Sequence, residues 1–172
     1  MPTAYRICFV CSGNICRSPS AEVVFRSLVE QAGLGDVVEV DSAGTGEWHV
    51  GERADVRALR ALSAAGYDGS AHRARVFDPA WFAGRELVIA LDRGHARTLR
   101  AWAPDDPSRA RVRLLRSYDP GLAVDEDSPL IDVADPYYED DRAFTTMLEE
   151  IEAAGAGLLA SVQARLERSR SS

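Results

Sequence analysis

Between Val10 and Pro19 the chain reads Val-Cys-Ser-Gly-Asn-Ile-Cys-Arg-Ser-Pro, which sets a thiol, Cys11, six residues ahead of a guanidinium, Arg17. A thiolate is a nucleophile that can attack phosphorus. A guanidinium grips two oxygens of a phosphoryl group through charge-assisted bonds worth roughly 1.5–3 kcal/mol each. Between and beside them, Ser12, Gly13, Asn14, Ile15, Cys16 and Ser18 supply backbone N–H groups that can converge on an anion where a loop enters a helix. An ordinary thiol is mostly protonated near neutrality, and a helix terminus stabilises an anion by only up to about 1 kcal/mol. The remaining stabilisation must come from the converging N–H donors, the charge of Arg17 and the Ser18 hydroxyl. The chemistry this segment suits is capture and transfer of a phosphoryl dianion.

The elements around it are of the kind that could hold such a loop. Tyr5 to Val10 reads as a buried strand, and Ala21, Val24, Phe25, Leu28, Val29 and Ala32 form a helical stripe after it. Ser18 is expected as the helix cap, with Pro19 in the first helical position. Val37 to Val40 reads as a second strand before a Gly-rich loop from Ser42 to Gly51. A helix is expected from about Ala54 with Val56, Leu59 and Leu62 inward. Leu87 to Leu91 and Val112 to Leu115 read as strands, Arg93 to Trp102 as a helix, and Tyr118 to Asp141 as an acidic, Pro-punctuated loop. The last helix is expected over Phe144 to Leu166, with fraying from Arg165.

Alternation of this kind predicts a single-domain α/β fold: a four-stranded parallel sheet with helices on both faces, doubly wound and flavodoxin-like. The expected domain is 1–166, with 167–172 a disordered tail. In such sheets ligands sit beyond the carboxyl ends of the strands, where the Cys11 to Ser18 loop lies.

Composition narrows the partners. At 172 residues and 46% apolar side chains the chain can bury one core, and a formal charge of −7 disfavours nucleic acid, whose backbone demands a basic face. All twenty basic residues are Arg, a compositional background from which no function is read. No apolar run near the start is long enough for a signal-peptide core or a membrane span, so a cytoplasmic location without membrane insertion is expected, with signal-independent export left open. The three cysteines, all within the first sixteen residues, cannot staple a chain of this length.

Cys-x5-Arg-Ser directly after a first strand, in the form CSGNICRSP, resembles the phosphate-binding loop of the low-molecular-weight protein tyrosine phosphatases. The resemblance continues through Asp41-Ser42-Ala43-Gly44-Thr45, Trp48, His72, Asp92 and Asp135-Pro136-Tyr137-Tyr138, essentially the whole chain. It implies hydrolysis of phosphotyrosine and small aryl phosphates in two steps, through a phosphocysteine on Cys11. Asp135 would protonate the leaving oxygen and then act as base for water. By the same resemblance Arg17 is catalytic, Ser18 steadies the thiolate, and Asn14 organises the loop with Ser42 and His72. Trp48, Tyr137 and Tyr138 would line the substrate cleft, with no metal and no cofactor required. The implied partners are tyrosine-phosphorylated proteins, with a tyrosine kinase a further candidate, acting on a monomer or weak dimer.

Several assignments rest on context alone. Asp125, Asp127, Asp132, Asp140 and Asp141 compete with Asp135, which only the Asp-Pro-Tyr-Tyr setting selects. The resemblance suggests that Cys16 forms a reversible disulfide with Cys11, and a passive small residue is the alternative. Cys8 and Cys11 are spaced as a dithiol pair, but positions three apart on a strand face opposite ways, so Cys8 is assigned to the core. His72 is given a supporting role, Asp92 a helix cap, and His49 and His95 the surface. Phosphorylation of Tyr137 or Tyr138 stays open.

Related chemistries separate on single features. The thiol-coupled arsenate reductases that share this loop need later cysteines, and none follows Cys16. Arginine-phosphate phosphatases of the same family tend to carry Thr where this chain has Ile15. A phosphotyrosine-binding module without turnover would have no use for both Cys11 and Asp135.

Overall fold

A computed structural model describes residues 4–171. Four strands form one parallel sheet: β1 (Tyr5–Cys11), β2 (Val38–Gly44), β3 (Leu87–Ala90) and β4 (Val112–Leu114), in the order β2-β1-β3-β4. The helices are α1 (Arg17–Gln31), α2 (Val56–Ala64), α3 (Arg93–Trp102), α4 (Asp106–Ala110) and α5 (Asp141–Ser171).

Strand alternation splits the interior in two. Ile7, Phe9, Cys11 and Ile89 face a core built with Val24 and Phe25 of α1, Leu62 of α2 and Ile151 and Leu158 of α5. Cys8, Val10, Val88 and Ala90 face the other, with Phe82 and with Ala96 and Leu99 of α3. Both faces of the sheet are therefore covered, as a parallel sheet requires, and a single domain results. The order reverses between β1 and its neighbours, so the carboxyl end of β1 opens into the crevice where doubly wound folds bind ligands. Among the described residues no helix is long and apolar enough to cross a membrane.

Several boundaries differ from the sequence reading. β2 runs through Asp41 and Ser42 to Gly44, because its backbone pairs with β1 as far as Cys11 while Arg75 neutralises Asp41 and Glu22 takes the Ser42 hydroxyl. The polar pair that looked like the start of a loop is thus strand. In α2, Ala58 and Leu62 are buried and Val56 is 68% exposed, so Val56 does not face inward. The region 103–111 contains α4, started by Asp105 as cap and Pro107 in its first turn. α5 continues to Ser171, so 167–171 is helix rather than a disordered tail. Its last turn carries Arg168 and Arg170, which suit the negative end of the helix dipole. Residues 1–3 and 172, the ends of the expected domain and tail, lie outside the described residues.

Candidate active site

β1 ends at Cys11 and α1 begins at Arg17, so residues 12–16 must turn the chain within five positions. Asn14 makes that turn possible by adopting φ 58°, a left-handed conformation that Asn tolerates better than most residues. The helix cap is Cys16 rather than Ser18. Ser18 sits in the first turn, fully buried, with its hydroxyl directed to the loop interior instead of to a helix N–H. Gly44 lets the loop lie against β2, since a Cβ there would stand 2.6 Å from the Ser12 carbonyl oxygen.

The polar groups inside the loop fix one another in sequence. Asn14 Oδ1 accepts the Arg75 N–H at 3.0 Å, which sets the amide so that Nδ2 donates to Ser18 Oγ at 2.8 Å and to Ser42 Oγ at 3.0 Å. Having accepted from Asn14, Ser18 Oγ has its own proton to give. Cys11 Sγ lies 2.9 Å away and the Ala43 carbonyl 3.3 Å away. A serine poised to donate to the sulfur is an anion-stabilising arrangement. The His72 Nε2–H meets the Asn14 carbonyl oxygen at 2.7 Å. Burial lowers the pKa of His72, opposed by that bond and by Glu22, so the ring is biased toward its neutral form.

Arg17 is 4% exposed. Its Nη1 is held by Asp92 Oδ2 at 2.8 Å and by the Val133 carbonyl at 2.9 Å, and its Nη2 lies 3.6 Å from Asp135 Oδ2. Burial works against ionisation of Asp92, but the facing His95 imidazole and backbone N–H, together with the Arg17 guanidinium, outweigh it and hold the carboxyl below the usual aspartate range. Asp92 is also the α3 cap that the sequence indicated. Asp135 is half-exposed, and its Oδ1 accepts the Tyr137 N–H at 3.1 Å, which ties the carboxylate to its own loop.

These groups open into a cleft of about 420 Å³. Cys11, Ser12, Gly13, Ile15, Cys16 and Arg17 contribute to its lining; Asn14 and Ser18 lie buried behind. Trp48, Tyr137 and Tyr138 are all at the cleft, with Trp48 72% and Tyr138 91% exposed, and the two tyrosine rings meet edge-on at 4.9 Å. Trp48 is carried by its own backbone: a Cβ on Gly46 would stand 1.8 Å from the indole Cζ3, so the ring lies directly on that glycine.

Two histidines assigned to the surface belong to the site. His49 lines the cleft, its ring over Gly13 and 6.4 Å from that of Tyr137. His95 is 5% exposed and bonds Ser12 Oγ at 2.9 Å. A signal for His95 existed: it falls on the α3 stripe with Ala96 and Leu99, the buried positions of that helix. Cys8 is buried in the core and Cys16 at the loop, and all three cysteines are free thiols. Burial, aided by the charges of Asp55 and Cys11, pushes the Cys16 thiol up, which favours its protonated form.

Asn14→Ala is expected to lower stability by about 3 kcal/mol, from strain at positive φ plus the buried donors and acceptors it abandons. It should also lower kcat/KM by roughly 10²-fold through loss of loop geometry. Asn14→Gly, which accepts positive φ, should regain about 1 kcal/mol of the stability and none of the activity. Urea unfolding and aryl phosphate hydrolysis of both variants check this.

A doubly wound sheet whose first strand runs through a tight polar loop into a helix that starts on a buried arginine, beneath an aromatic-walled mouth, is an arrangement able to receive an anionic aromatic ligand. Residues 6–169 match the family model of the low molecular weight phosphotyrosine protein phosphatases. The low molecular weight protein-tyrosine-phosphatase of Streptomyces coelicolor is 55% identical over 95% of this chain and 96% of its own, and protein-tyrosine phosphatase A of Mycobacterium tuberculosis is 46% identical over 98% of each. Among solved structures, a protein tyrosine phosphatase from Entamoeba histolytica superposes with a TM-score of 0.86 at 25% identity, covering 94% of this chain and 98% of that one. YfkJ of Bacillus subtilis superposes with 0.85 at 31%, covering 95% and 97%. The chain belongs to the low molecular weight phosphotyrosine protein phosphatase family, and it is a hydrolase.

Proposed function

We propose that this phosphatase hydrolyses phosphotyrosine in proteins, and small aryl phosphates, through a covalent phosphocysteine. The observation that carries this reading is the convergence of Cys11 Sγ, the Ser18 hydroxyl at 2.9 Å, the Asp92-anchored Arg17 and the Asp135 carboxylate 3.6 Å from that arginine at one cleft. The Cys11 thiolate attacks phosphorus, the bond from phosphorus to the phenolic oxygen breaks, and Asp135 delivers its proton to that oxygen as it leaves. Water then gives a proton to the Asp135 carboxylate and attacks phosphorus. The sulfur–phosphorus bond breaks, inorganic phosphate is released and the thiolate is restored. Arg17 and the loop N–H groups hold the equatorial oxygens throughout, and Ser18 stabilises the sulfur as it leaves. The ring of the substrate rests between Trp48 and the Tyr137–Tyr138 pair, whose faces and edges suit aromatic stacking.

No step passes through a metal ion, and among the described residues no group of three or more His, Cys, Asp or Glu side chains could hold one. Hydrolysis of para-nitrophenyl phosphate is expected to be unchanged by EDTA, and quenching turnover of radiolabelled phosphotyrosine peptide in alkaline denaturant, in which a phosphocysteine persists, should leave label on Cys11. Loss of activity on chelation, or label on no cysteine, overturns the scheme. In the cell the expected partners are tyrosine-phosphorylated proteins, met in the cytoplasm.

A further inference from the structure

Behind the phosphate loop a second chain of polar groups runs from the cleft wall to the arginine, and the catalytic scheme uses none of it beyond the arginine and its Asp92 anchor. Ser12 Oγ, at the cleft, lies 2.9 Å from His95 Nε2. His95 Nδ1 lies 3.2 Å from Asp92 Oδ1, which also accepts the His95 backbone N–H at 2.9 Å. Asp92 Oδ2 holds Arg17 Nη1 at 2.8 Å. Nδ1 is otherwise a buried nitrogen with no hydrogen-bond partner, and the nearby charge is that carboxylate.

The imidazole is biased toward its neutral form. Burial pushes its pKa down to about 4, Arg17 pushes the same way, and Asp92, Asp135 and Asp132 oppose without prevailing. A neutral imidazole carries one proton, and the two choices are unequal. With the proton on Nε2, the Nδ1 lone pair would face the negative Asp92 oxygen 3.2 Å away. With the proton on Nδ1, the N–H dipole faces that oxygen and the Nε2 lone pair accepts the Ser12 hydroxyl. In surroundings this dry the repulsion of the first arrangement is weakly screened, so the second is favoured.

We propose that His95 is a positioning residue: with its proton on Nδ1 toward Asp92 and its Nε2 accepting from Ser12, it locks the Ser12 side chain out of the cleft and tempers the Asp92 charge behind the phosphate loop. Both effects act on anion binding. An unlocked Ser12 side chain can swing into the space the substrate takes. An untempered Asp92 repels the phosphoryl dianion and draws Arg17 toward itself. The sulfur–Ser18 contact and Asp135 are untouched, so the rate of the bound complex should change little.

The proposal rests on the phosphatase reading in its kinetic arm only, since the position of a ring proton does not depend on which residues perform the chemistry. Nitrogen-15 NMR of the native protein near neutral pH, with the ring signals assigned by comparison with His95→Ala, should show His95 protonated on Nδ1 and bare on Nε2. Ser12→Ala should move the Nε2 signal. In hydrolysis of para-nitrophenyl phosphate, His95→Ala should raise KM about five- to tenfold with kcat within about twofold; Ser12→Ala, which leaves no hydroxyl to enter the cleft and loosens only part of the hold on the ring proton, should raise KM less, and the double variant should be no worse than His95→Ala. A proton on Nε2 in the native ring, losses that multiply in the double variant, or a fall in kcat with KM unchanged overturns it. Should His95→Ala fail to fold, the tautomer of the native ring, assigned instead from the Ser12→Ala shift, decides the matter by itself.

Discussion

Cys11→Ser should lower turnover of para-nitrophenyl phosphate by about 10⁵-fold or more, equivalent to roughly 7 kcal/mol of transition-state stabilisation, while leaving the protein folded and able to bind oxyanions. The folded state should survive because the loop is not held by the sulfur. Asn14 accepts from the Arg75 N–H and donates to Ser18 and Ser42, its carbonyl is met by His72, and Arg17 is anchored on Asp92 and the Val133 carbonyl. Anion binding should survive for the same reason, since the backbone N–H groups and guanidinium stay in place. Turnover by stopped assay and tungstate binding by calorimetry on the same sample separate the two functions. Residual turnover above about one per cent of native would remove Cys11 from the nucleophile's role.

Asp135→Ala should slow hydrolysis of a phosphotyrosine peptide by about 10²–10³-fold, and that of para-nitrophenyl phosphate by about tenfold or less. The difference comes from the leaving groups. Tyrosine's phenol has a pKa near 10, so its phenolate leaves poorly without a proton, whereas the nitro group disperses the charge of the other. Asp135 is placed for the task by its position over the cleft beside Arg17 and by the Asx turn that its Oδ1 makes with the Tyr137 N–H. Asp140→Ala, whose carboxylate instead caps the start of α5 through Ala143, should leave both rates near native. Equal slowing of the two substrates by Asp135→Ala would take the proton donor's role from that residue.

How much of this could be read from the sequence depended on whether the signal was local. The turn from β1 into α1 was legible because an apolar run, a short polar loop and a helical stripe follow one another without interruption. α3 was legible to the residue, with Asp92 as its cap. Asn14, Ser42 and His72 were grouped by resemblance, and their hydrogen bonds supply the physical reason. What was not legible depends on partners far away in the chain. Ser18 looked like a cap because serine before proline at a helix start usually is one, and only the buried sulfur and the Asn14 amide explain why its hydroxyl turns inward. Asp41 and Ser42 broke an apolar pattern that β1 nevertheless continues to pair with. His95 sat on the inward stripe of α3, but that its ring would meet Ser12, 83 positions earlier, is set by the sheet order alone.

The seating of the Trp48 ring on Gly46 separates two kinds of adaptability in this molecule. The indole belongs to the loop after β2 and leans on the Gly46 main chain, whose N–H donates to the Ser12 carbonyl at 3.0 Å. Exchanging residue 48 should therefore retune which peptides are welcomed while the reactive centre stays as it is. Filling position 46 would evict the ring altogether. Selectivity can thus drift through the side chain at 48, by mutation or by design, whereas the backbone that seats it is tied to the phosphate loop.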